Sequence, residues 1–342
     1  FICFVDYTLF FRYILKMKLF YRLFVLLVSL AIMVSATSCK TMVLNAVSDG
    51  LSSSDKEGVP IKAKEGAPDP MMAFMGEEDP VIVQEVLPVI LKLYEIMHIE
   101  NPEHSGNRIM LGTLNVMYAN LCVESKAELM TDPRLLDEQV AEFERAKLHY
   151  MRGHNLIFGA FEKRWPGFTS SIMGSDENKI KEFVSKLTKD DVNSMYWACA
   201  GFFASFALNP LDLDIIGAIK GHIAVLEKVA SLDPEYSNGA IWDVLTQIYV
   251  AAPMDFGGDY ERGLYCHEQA LKASKGNSAG IYVTKAKSIC VPAGDKEGFL
   301  QAINAALAID VKADRSQSLM NVLNQNKAKR LLAQINDYFI EW

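Results

Sequence analysis

The chain of 342 residues lacks almost every local pattern that announces catalysis or metal binding. Its six cysteines (Cys3, Cys39, Cys122, Cys199, Cys266 and Cys290) are widely scattered, so no CxxC pair exists. There is no HExxH and no Asp-rich calcium loop. His149 and His154 are five residues apart and do not share a helix face as an i, i+4 zinc pair would. Cys266 and His267 are adjacent, and neighbours on a helix point apart, which excludes a hydrogen-bonded thiol–imidazole pair. Gly257-Gly258-Asp259 has neither the spacing nor the preceding strand of a dinucleotide site, and GxSxG and P-loop motifs are missing. These absences predict a protein that is not an enzyme, with no cofactor and no metal. Alternation of period two persists nowhere beyond a few residues, which excludes a sheet. A basic excess is missing too. The formal charge is −8, and because residues 1–38 are net positive, the remainder is more acidic still. Nucleic acid is therefore not an expected partner.

What the chain does have is apolar residue at helical spacing. Half the residues are hydrophobic. The stretch from Leu232 to Leu271 organises the rest. It opens on Asp233-Pro234, a break followed by a good first turn, with Ser237 or Asn238 placed to cap the next helix. Trp242, Leu245 and Tyr249 then form one apolar stripe, and a second helix from about Tyr260 carries Leu264, His267 and Leu271 on one face. Trp-x2-Leu-x3-Tyr followed by small residues is the spacing of a tetratricopeptide repeat, a helix–turn–helix unit. The connection between the two helices, with Pro253, Phe256, Gly257 and Gly258, is longer than that repeat requires. It reads either as a tolerated surface insertion or as part of a binding face. Leu226/Val229, His267/Ala270 and Ile303/Ala306 close three second helices at equal spacing. The predicted fold is all-α, with antiparallel helix pairs stacked into a compact superhelical body. Trp197 and Trp242, near the start of first helices, are expected to pack between helices or to line a groove.

The start of the chain carries an address. Met17-Lys18 and Arg22 precede a twelve-residue apolar run, Leu23 to Val34, then small residues and Cys39. The run is shorter than the roughly 20 residues a membrane span needs. The pattern resembles a bacterial lipoprotein signal with Cys39 as the lipidated residue, although Ala36 stands where Leu or Val is usual; an uncleaved signal anchor is the alternative. Residues 1–38 are thus assigned to signal and upstream sequence, 39–75 to a lipidated flexible tether poor in hydrophobic pattern, and 76–342 to the helical-repeat domain. Further helices are expected from the first-turn Pro80 to near Asn101, with its apolar stripe at 83–94, and at about 107–130, 133–164, 179–187, 192–208, 211–231, 281–290, 296–309 and 316–338. Cys122, Cys199, Cys266 and Cys290 sit in apolar helical patterns and read as free core thiols, with disulfides the alternative for an exported protein.

Along that body several short markers occur in order. They are Asp79-Pro80, Leu87-Pro88, Asn101-Pro102, Tyr118-Ala119, Glu128, Arg145-Ala146-Lys147, Arg152-Gly153, Tyr196-Trp197 and Asp233-Pro234-Glu235-Tyr236. Gly239-Ala240, Pro253, Gly257-Gly258, Glu268-x-Ala270-Leu271, Asn321, Lys327-Ala328 and Leu331-Leu332 follow. Over about residues 76–335 the chain resembles the T-component lipoproteins of tripartite ATP-independent periplasmic (TRAP) transporters. The resemblance implies an envelope lipoprotein with modified tetratricopeptide repeats and no catalytic activity. It further implies homotrimers, a periplasmic solute-binding P-component as partner, and a small, hydrophobic ligand. Its body would lie in the periplasm, attached to the membrane through the lipid on Cys39. Trp197, Trp242, Tyr249, Pro253, Phe256, Gly257, Gly258 and Asn321 are the candidate ligand- or partner-binding residues. The alternative is a helical-repeat envelope lipoprotein that scaffolds other proteins without handling solute.

Overall fold

A computed structural model describes residues 41–62, 71–254 and 257–339; Cys39 and Phe256 lie outside them. The described chain is all-α. Helix α1 covers residues 41–52. It is followed by α2 (Met72–Met75), α3 (Pro80–Glu100), α4 (Ser105–Tyr118), α5 (Ser125–Ala127), α6 (Leu136–Arg164), α7 (Phe168–Ile172) and α8 (Glu177–Ser185). Next come α9 (Val192–Leu208), α10 (Leu213–Ile216), α11 (Ile219–Leu232), α12 (Ala240–Ala251) and α13 (Tyr260–Ser274). The chain closes with α14 (Ala279–Thr284), α15 (Lys296–Leu307), α16 (Ser318–Ala333) and α17 (Ile335–Tyr338). Aspartates start several of these elements. The carboxylates of Asp79, Asp176, Asp259 and Asp295 accept backbone N–H groups at the first turns of α3, α8, α13 and α15.

Successive helices pack on one another through α3·α4, α4·α6, α6·α9, α9·α11, α11·α12, α12·α13 and α14·α15·α16. The repeated pairs of the sequence land in the core as their spacing requires: Leu226, Val229, Ala270, Ile303 and Ala306 are fully buried. Small residues set the closest approaches. A Cβ on Gly112 of α4 would stand 2.8 Å from the Gly153 carbonyl of α6, and one on Gly153 would stand 2.6 Å from that of Gly112. The array then closes on itself, because α16 packs on α2 and α3. Glu128, just after α5, holds that closure by pairing with Lys327 (3.5 Å) and Arg330 (3.2 Å) of α16.

The largest core cluster surrounds two buried histidines. His222 Nδ1–H donates to the Ala218 carbonyl (2.8 Å), which leaves Nε2 as an acceptor for His154 Nε2–H at 2.9 Å. His154 Nδ1 must then accept, so the nitrogen rather than the oxygen of the Asn155 amide faces it. Both rings are neutral; burial lowers both pKa values, that of His154 to about 4. Phe202 stacks on His222 with centroids 3.6 Å apart. Cys122, Cys199, Cys266 and Cys290 are free thiols, and burial raises the pKa of each.

Three expectations are corrected. The helix expected over 211–231 breaks around Gly217 into α10 and α11. Neither Ser237 nor Asn238 caps α12: both adopt left-handed backbone (φ 44° and 53°), Gly239 (φ 85°) stands at the cap, and the Asn238 amide donates to Asp314 instead. Residues 41–62, expected within the tether, are folded. Their low hydrophobicity argued against order, but the surface they bury is polar: Ser48 and Ser52 are 3% exposed and hydrogen-bonded.

Candidate functional site

Closing the array leaves a central cavity of about 500 Å³, within the range of small-molecule sites. Its walls come from the inner helices. Two of them, at Ala119–Glu124 and Lys285–Cys290, are wound as π-helix rather than α-helix. Such turns carry an extra residue and recur at functional sites, because they re-aim side chains within an otherwise regular helix. Here both feed the cavity, the first through Asn120 and Leu121 and the second through Lys287 and Ser288.

One wall is aromatic. Tyr196 lies 5.2 Å from Tyr236 and 5.3 Å from Trp197, ring centroid to ring centroid. The Tyr236 hydroxyl is fixed by donating to Asn193 (2.6 Å). Beside this wall Asp243 accepts from Thr284 Oγ1 (3.1 Å) and Gln247 Nε2 (3.2 Å), while its Oδ1 has no partner. Burial outweighs those two bonds and raises its pKa to about 6. The other wall is charged, with Lys287, Glu128, Lys327 and Arg330. Behind it Tyr150 donates to Glu124, whose pKa burial raises despite that bond. An apolar ligand with one or two polar groups fits this lining. Among the described residues, no three His, Cys, Asp or Glu side chains gather as a metal site.

Of the candidate residues that are described, only Trp197 lines the cavity. Trp242 packs elsewhere, its Nε1–H donating to the Pro234 carbonyl (2.9 Å) and its ring set edge-on to Tyr265. Tyr249 donates to Glu227 (2.6 Å) under the Arg262 guanidinium. Asn321 is buried between α14 and α16, accepting from Ala279 N (2.9 Å) and donating to the Asn277 carbonyl (3.2 Å). Pro253, Gly257 and Gly258 belong to the α12–α13 connection, which folds back on its own helix. Gly258 N–H donates to the Pro253 carbonyl, and a Cβ on Gly258 would stand 1.7 Å from the Ala252 carbonyl oxygen.

The cavity instead gathers residues first noticed only as sequence markers. Glu128, Tyr196, Tyr236, Ala240, Lys327 and Leu331 all line it. A protein-family model described as TRAP transporter T-component matches residues 76–339. The chain belongs to that family. An uncharacterized protein of Treponema pallidum (strain Nichols) is 33% identical to it over 268 residues, 78% of this chain and 83% of the relative. As a T-component the chain is part of a transport system of the bacterial envelope, and the family is not a catalytic one. Among the described residues no helix is long and apolar enough to cross a membrane. Apart from Trp197, the only signal in the sequence was the order of the markers, since each alone is an ordinary residue.

Proposed function

We propose that this T-component binds a small, largely apolar solute in its central cavity and passes it to, or takes it from, a periplasmic solute-binding P-component. The cavity carries this reading: it combines an aromatic wall, Tyr196, Trp197 and Tyr236, with a few charged groups on the facing side. Apolar area would supply affinity, and Asp243, Lys287 and the Glu128 cluster would orient the polar end. The helix pairs are read as modified tetratricopeptide repeats, the working form as a homotrimer, and Cys39 as the lipidated residue that keeps the body in the periplasm at a membrane. The α12–α13 connection is the candidate docking element, since Met254 (87% exposed) and Tyr260 (48% exposed) project from it beside Pro253.

The test fills the cavity. Ala204 lines it from α9 and is half-buried. Ala204→Phe should leave thermal unfolding nearly unchanged and remove whatever small molecule mass spectrometry finds in the protein purified with its P-component. Recovery of the same molecule in the same ratio from both proteins would reject the cavity as the site. Retained P-component affinity after Met254→Ala and Tyr260→Ala would move docking off the connection.

A further inference from the structure

We propose that the outer face of α1 lies on the membrane surface and holds the body in one orientation there. The inference builds on lipidation at Cys39, two residues ahead of the first described residue.

Helix α1 is amphipathic in the reverse sense of a helix on a protein surface. Its inward face is polar. The Asn101 amide donates to Asn45 Oδ1 (2.8 Å), the Asn107 amide to Ser48 Oγ (2.7 Å), and fully buried His104 meets Asp49 at 2.8 Å through Nε2. The tautomer is fixed, because His104 Nδ1 accepts the Asn107 backbone N–H (3.0 Å). The outward face is apolar. Met42, Val43, Val47 and Leu51 are 70%, 54%, 48% and 51% exposed. Asp49, the single charge between residues 41 and 52, is turned inward onto His104. Rolling the helix over would cover those apolar side chains but strand the amides of Asn101 and Asn107 and the ring of His104 without partners. The polar network therefore fixes the apolar face outward.

Helix α3 extends the same surface. Tyr94 Oη donates to the Leu51 carbonyl (2.6 Å), and nearby Leu93 and Ile96 are 54% and 58% exposed. On α3 the exposed Ile82, Val86 and Val89 continue in line with Leu93 and Ile96. We assign this surface to lipid because the acyl anchor of the proposed function, at Cys39, stands two residues ahead of the first described residue of α1. A helix of this kind placed beside an acyl anchor buries its apolar side at the headgroup–acyl boundary, and the two attachments reinforce each other.

The experiment uses the full chain reconstituted in phosphatidylethanolamine–phosphatidylglycerol vesicles. Val47→Cys and, as a control, Lys181→Cys on α8 carry an environment-sensitive fluorophore; wild-type labelled in parallel gives the background of the native thiols. Nitroxide lipids labelled at the headgroup–acyl boundary should quench the probe at 47 several-fold more strongly than the probe at 181. Equal quenching at the two positions overturns the proposal. So does an unquenched probe at 47 in a multimer that Val47→Glu converts to monomers during sedimentation, since a second copy then covers the face. The mass of the N-terminal peptide separates this inference from the anchoring reading. An unacylated chain whose probe at 47 is still quenched keeps the helix contact and removes the lipid. An acylated chain with an unquenched probe does the reverse.

Discussion

Lowering the pH from 7 to 5 perturbs the histidine pair at the centre of the largest core cluster. His154 has an ordinary pKa of 6.5 that burial lowers to about 4, so the unfolded chain takes up its proton before the native one does. Stability from this group is fully present above pH 6.5 and is lost as the pH falls toward 4. Integrating between pH 7 and 5 gives a loss of about 2 kcal/mol from His154 alone. His222 shifts in the same direction, and His267, also lowered to about 4, adds to the effect. Asp243 opposes them. Its pKa is raised to about 6, so the native state favours the protonated form and acidification over the same interval returns about 1 kcal/mol. The pair is isolated by comparing wild type with His154→Leu/His222→Leu in urea unfolding at pH 7 and pH 5. The wild type should lose at least about 2 kcal/mol more than the double variant between the two pH values. Equal losses would show that the buried pair titrates no differently in the folded and unfolded chains, and the argument from burial would fail.

Two stability predictions follow from packing. Gly221→Ala places a Cβ 2.0 Å from the Ile172 carbonyl, backbone that cannot turn aside, and should cost about 3 kcal/mol in urea unfolding. Gly217→Ala, with nothing within 4 Å of its Cβ, is the control and should change stability by less than about 1 kcal/mol. Trp242→Ala removes a half-buried ring and its bond to Pro234, and should lower stability by about 3 kcal/mol. A nearly unchanged thermal midpoint with lost ligand binding would place Trp242 in a binding groove instead.

The helices and their inward faces were legible in the sequence because both are local properties. Val192 to Leu208 was delimited to the residue, and Leu226, Val229, Ala270, Ile303 and Ala306, marked only by their equal spacing in three second helices, are all buried. A period of 3.6 needs only neighbours along the chain to be visible. The candidate site was mostly not legible. Trp197 was identified, but the cavity exists because Glu128 meets Arg330 across 202 positions of sequence, and no window along the chain contains both. The π-wound turns at Ala119–Glu124 and Lys285–Cys290 were invisible for a related reason: their sequences read as ordinary helix, and the shift in bonding appears only in three dimensions. Helix α1 shows the limit most directly. Composition argued that residues 41–62 bury too little apolar surface to fold, which is true of that segment alone. Its order comes from polar partners, Asn101, His104 and Asn107, that lie more than fifty residues away. Amphipathic pattern reports which face of a helix is apolar; which face turns inward is decided by the groups that meet it.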